Sequence, residues 1–83
     1  MKRAAVEIRR NPVLGLPAAE RLAGLPADAR LALRAVLIDL SVDASERAEK
    51  SWARRKAPMA TYWRACSTYA RHIARAVGRT GAA

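Results

Sequence analysis

The apolar positions of this chain recur at intervals of three and four residues, the spacing of a helix face, and almost nowhere at intervals of two. Two short Gly-Leu-Pro signals, at 15–17 and 24–26, mark helix starts, because proline lacks an N–H that the first turn would leave unused. The first opens a short helix over 17–23, with Gly24 as its stop. The second opens a long helix with Asp28 in its first turn, where a negative charge favours the helix dipole. Leu31, Leu33, Val36, Leu37, Ile38, Leu40 and Val42 make the first half of that helix apolar around most of its circumference, which marks it as the central core element. The stripe Leu33, Leu37, Leu40, Ala44, Ala48, Trp52 then carries helical spacing onward and predicts one helix over 26–56. Asp43/Arg47 and Glu46/Lys50 are i,i+4 pairs that support continuity. Against it, Ser41-Val42-Asp43 is a poor helix interior and Asp43-x-x-Glu46 has the form of a capping box, so a break at 41–43 is the alternative.

Ala57-Pro58 closes this element, since proline disfavours helical geometry in the residue before it. Pro58 starts the last helix, over 58–77, with Gly78 as the expected left-handed stop and a frayed tail beyond. Ala4 to Ile8 alternates briefly and is the one stretch with any β character; Asn11-Pro12 ends it. Residues 1–16, with Lys2, Arg3, Arg9 and Arg10, read as a basic N-terminal arm ahead of a single helical domain over 17–83. The expected fold is all-α: a helical hairpin or three-helix assembly with a long central helix.

In a 100° projection, Met59, Tyr62, Cys66, Tyr69, Ile73 and Val77 fall within about 60° of one line, and Arg64, Arg71 and Arg75 within about 20° of the opposite one. The expected core packs Met59, Tyr62, Cys66, Tyr69 and Ile73 against Leu33, Leu37, Leu40 and Trp52, with the arginines facing solvent. Trp63 sits at the edge of the apolar line and is the one aromatic placed to stack on a base.

Composition limits that core. Twenty of the 83 residues are Ala, and the only aromatics are two Trp and two Tyr. A chain of this length makes one domain at most and buries only about 60% of the surface its unfolded form exposes. Below roughly 80 residues a single core seldom suffices without staples or oligomers, and one cysteine cannot form an internal disulfide. An oligomer, a dimer first of all, is the expected remedy. The lone Cys66 fits a reducing cytoplasm. Glu7 and Arg9 interrupt the leader-like start, so no signal peptide is expected. Ala35 to Ile38, the longest strongly apolar run, is far short of the roughly 20 residues of a membrane span. Thirteen Arg against three Lys, with the alanine bias, suit a GC-rich bacterial or phage genome.

Charge adds the functional clue. The formal net charge is +9, and from Lys50 onward there is no Asp or Glu at all, while Lys50, Arg54, Arg55, Lys56, Arg64, Arg71, Arg75 and Arg79 are basic. Solvated helix faces ordinarily mix signs, because Glu four residues before Lys or Arg contributes a few tenths of a kcal/mol per pair. Forgoing that stabilisation points to an acidic partner. Arg54, Arg55 and Lys56 also suit the C-terminal dipole of the preceding helix, but three in a row exceed what it requires. With Arg64, Arg71, Arg75 and Arg79 they would form one strip able to follow a phosphate backbone, a task for which the planar guanidinium fork is well shaped.

Little else carries chemistry. Cys66 and His72 lie about 120° apart and about 9 Å along one helix, too far for a nucleophile and its base. Asp39, Asp43, Glu46 and Glu49 are interleaved with Arg47 and Lys50, which would repel a metal ion. No enzyme activity, cofactor, metal or small-molecule substrate is expected. The sequence favours a small phage-type or bacterial protein binding DNA or RNA. The alternative is an adaptor or inhibitor whose basic face docks on an acidic protein surface or in the nucleic-acid groove of a larger complex. A membrane-surface helix ranks last, because Leu31 to Val42 offers the apolar face a partner within the chain.

Overall fold

The computed structural model describes residues 2–78, with side chains from residue 6 onward. Its regular structure is entirely helical: α1 (Lys2–Arg10), a 3-10 turn (Pro12–Gly15), α2 (Pro17–Ala23), α3 (Ala27–Ala53) and α4 (Ala57–Gly78). The alternating stretch Ala4 to Ile8 lies within α1 rather than in a strand. A strand needs a neighbour to take its backbone hydrogen bonds, and no other segment has strand character, whereas a helix satisfies them internally. α3 runs unbroken through Ser41-Val42-Asp43. The Ser41 hydroxyl donates to the Ile38 carbonyl at 2.7 Å, satisfying itself within the continuous helix that the stripe predicts, so the alternative break at 41–43 does not occur.

α3 and α4 pack side by side as an antiparallel hairpin, but the seam between them is not the expected one. α3 buries Ser41, Ala44 and Ala48, and α4 buries Ala60, Ser67, Ala70, Ala74 and Val77. On α4 these residues and the half-buried Trp63 alternate three and four apart. They form a row about 90° around the helix from the line of Met59, Tyr62 and Tyr69. That second line stays outside: Tyr69 is 60% exposed and Trp52 on α3 is 68% exposed, with Met59, Tyr62 and Leu40 also exposed. Cys66, Ile73, Leu33 and Leu37 are half-buried. Small side chains at the seam let two helix backbones approach closely and gain many weak contacts along their length. The Ser67 hydroxyl donates across it to the Ser41 carbonyl at 2.8 Å, a bond that close approach makes possible. Because the first half of α3 is apolar around most of its circumference, several rows of comparable character competed for the interface, and periodicity could not choose among them.

The N-terminal segment packs on α4 as well, through α2 and the 3-10 turn, on the side away from α3. Asn11, only 4% exposed, donates from Nδ2 to the His72 carbonyl at 2.9 Å, and Ala76 is buried nearby. The segment before residue 17 is thus folded and anchored. The molecule is a slab of 44 × 30 × 16 Å in which α4 lies between α3 and the N-terminal segment, leaving two broad faces beside the α3–α4 seam.

Candidate nucleic-acid interface

The quarter-turn displacement of the seam changes what the arginines do. Arg64, Arg71 and Arg75 do not point directly away from the core. They flank the seam and border one broad face, where α4 meets α3. A groove of about 300 Å³ runs there, with Ser41, Ser45, Ala48 and Ser67 as its floor, Arg64, Thr68 and Arg71 along one side and Val42 along the other. A second hollow, of about 490 Å³, continues toward the start of α3 and is lined by Arg30, Leu31, Arg34, Arg75 and Gly78 among others. No carboxylate lines either hollow.

On their other side Arg71 and Arg75 border a hollow of about 340 Å³ with Glu7, Arg10, Asn11 and His72, so a carboxylate does stand near these two. Arg64, Arg71 and Arg75 are exposed. Among the described residues, neither they nor Arg34 forms an ion pair with a carboxylate. Arg71 touches only the Thr68 hydroxyl, at 3.5 Å. Asp39 and Glu46 lie on the outer side of α3, about 180° from the seam, so they do not face the groove, whereas Glu49, seven residues after Val42, stands on the groove side toward the hairpin turn. The expected pairs Asp43/Arg47 and Glu46/Lys50 do not close. Arg47 instead lies over the Trp63 ring, 5.4 Å from its centroid, and Tyr62 meets the same ring edge-on at 5.0 Å and 80°. One face of Trp63 is therefore taken by a cation within the chain, which removes it as the stacking aromatic. Trp52, by contrast, is exposed and lines a hollow with Arg55 at the hairpin turn.

Gly78 is the last residue of α4 rather than a left-handed stop beyond it. Its missing side chain admits Arg34, since a Cβ there would stand 3.0 Å from Arg34 Nε. The left-handed conformation occurs instead at the other end of the hairpin, at Arg55, with φ 60°. The Arg55 N–H donates to the Trp52 carbonyl at 3.0 Å and the Lys56 N–H to the Ser51 carbonyl at 2.8 Å, the paired bonds that close a helix in a Schellman turn. Glycine is the usual residue at such a site, and a side chain there costs about 1 kcal/mol. Arg55→Gly should accordingly raise stability by about 0.5–1 kcal/mol in chemical denaturation while weakening polyanion binding. A destabilised Arg55→Gly variant would mean that the turn is not formed as described.

Arg64 and Arg71 thus share one groove and Arg75 lines the next hollow, Arg54, Arg55 and Lys56 sit at the turn at one end of the hairpin, and Arg79 lies outside the described residues. Arg30 and Arg34 are additions that charge counting missed. They belong to the first 49 residues, where eight bases and seven acids nearly cancel, and only their packing beside Arg75 separates them from those acids. Cys66 is half-exposed rather than buried. Among the described residues no group of three His, Cys, Asp or Glu could hold a metal ion, and no helix is long and apolar enough to cross a membrane. No protein-family model matches the chain, nor does any curated protein or solved structure.

Proposed function

We propose that this protein binds nucleic acid, seating a phosphate backbone along the arginine-bordered groove between α3 and α4. The observation that carries the reading is Arg64 and Arg71 beside a floor of small side chains, continued by Arg75 and Arg34 in the next hollow, with no carboxylate lining either. Serine and alanine at the floor leave room for a strand to lie close to the helices, and Thr68 and Ser45 supply hydroxyls for phosphate oxygens. Trp52 beside Arg55 would stack an unpaired base at the end of that track. Base-specific recognition finds no support in the groove, so binding should be tolerant of sequence.

If six cations contact phosphates, log affinity falls against log salt with a slope of about −5 on duplex DNA and about −4 on single strands. Fluorescence anisotropy with duplex and single-stranded oligonucleotides at stepped salt reads both. No binding to DNA or RNA at low salt would end this proposal.

A second reading is favoured by Leu31, Ile38 and Val42, exposed along the α3 side of the same groove, where a nucleic-acid backbone has no use for apolar surface. An adaptor or inhibitor docking on an acidic protein would use both walls. Recovery of one stoichiometric protein after nuclease treatment, with no oligonucleotide binding, would select it.

A further inference from the structure

The opposite broad face differs from the groove in almost every respect. On α4 it presents Tyr62, Cys66 and Tyr69, with no charged residue of α4 among them, and on α3 Val36 and Leu40, followed along the same row by Asp43 and Arg47. Four of the first five are more than 40% exposed in the single chain. Meanwhile the seam buries alanines and serines, and Val77 is the largest fully buried side chain among the described residues. The bulk of the apolar side-chain volume has therefore been left out of the intramolecular core. Domains are ordinarily built from two layers that bury each other's apolar faces. Here α3 and α4 lie side by side, and no other element packs substantially on α3 among the described residues.

We propose that a second copy of this chain covers this face, so that two hairpins form a four-helix bundle with the arginine grooves on its two outer surfaces. Size supports a second copy. The 22 residues of α4 run about 33 Å, and two helices side by side span about 20 Å, giving roughly 650 Å² per chain before corrugation. A stable interface takes roughly 600–1,000 Å² from each partner. Self-complementarity supports it too. A twofold axis near the middle of the patch sets Leu40 and Cys66 of one chain against their counterparts; the Ser67 to Ser41 bond shows that these residues share one level of the hairpin. Charge does not forbid it. The α4 arginines project from the other broad face, a helix diameter away, beyond the roughly 8 Å over which charges act at physiological salt; on α3, Arg47 borders the patch with its guanidinium over the Trp63 ring, and Asp43, one turn before it on the same row, carries the opposite charge. The pairing does not depend on what the grooves bind.

Light scattering on nuclease-treated protein in 0.5 M salt reads the assembly free of nucleic acid. The expected mass is twice the 9.0 kDa of one chain, and a single-chain mass at hundreds of micromolar would overturn the proposal. Tyr69→Glu should halve the mass with helical circular dichroism retained, since Tyr69 is not part of the seam. Leu31→Glu, on the groove face, should leave the dimer intact. Dissociation by Leu31→Glu but not by Tyr69→Glu would place the interface on the wrong side. Should Tyr69→Glu fail to fold, maleimide labelling of wild-type Cys66 decides. Its rate should fall at least tenfold between dilute and concentrated protein, and a rate independent of concentration would refute the pairing.

Discussion

Reversing Arg64 and Arg71 together to glutamate should weaken oligonucleotide binding at least a hundredfold while leaving the helical content unchanged. The two residues border one groove, are exposed, and form no ion pair with a carboxylate among the described residues, so their loss removes only the long, exposed Arg71 to Thr68 hydrogen bond. Each lost phosphate contact should flatten the salt slope by about one, and a carboxylate in its place adds repulsion that a neutral variant would not. Arg71→Ala alone should cost about tenfold and weaken all sequences alike, because a phosphate contact carries no base information. A double variant that bound as tightly as the parent would show that the groove is not where the polyanion lies. Equal damage per charge from Lys50→Glu, on the outer side of α3, would point to bulk charge rather than place.

The second large effect is on stability. Ala44→Leu inserts three carbons where the side chain is 1% exposed and the opposing surface is another row of small residues. Overpacking of this kind typically costs about 1–3 kcal/mol, and here the helices must separate, straining the Ser67 to Ser41 hydrogen bond as well. A domain of this size has a total stability on the order of 5 kcal/mol, so Ala44→Leu should lower the melting temperature by about 10 °C. Ala35→Leu, on the exposed outer side of α3, changes volume equally and should shift it by no more than about 2 °C. If the two variants melted together, the alanine seam would not be the site of closest packing.

The distribution of legible and illegible features follows from what each level of structure depends on. Helix existence and most boundaries were written locally: Pro17, Pro58 and Gly24 punctuate the chain where the elements begin and end, and the 27-residue α3 follows its stripe through Ser41 to Asp43. The helix α1 was missed because five alternating residues are too few to reveal a period, and its anchor at Asn11 is a contact with His72, 61 positions away.

The cationic character of the C-terminal half was equally visible in the sequence, since charge is a property of composition. Which side of each helix is buried was not. With the first half of α3 apolar around most of its circumference, the rotation of α4 was decided by how closely the two backbones could approach, a quantity that belongs to the pair and to neither helix alone. That rotation set the arginines beside a groove instead of on an outer ridge, and brought in Arg30 and Arg34. It also turned Tyr62 and Tyr69 outward. The sequence alone settled that this is a helical protein with a strongly positive C-terminal half. Tertiary packing settled what those charges surround, because small side chains can be buried only where two surfaces meet closely enough to need no larger ones.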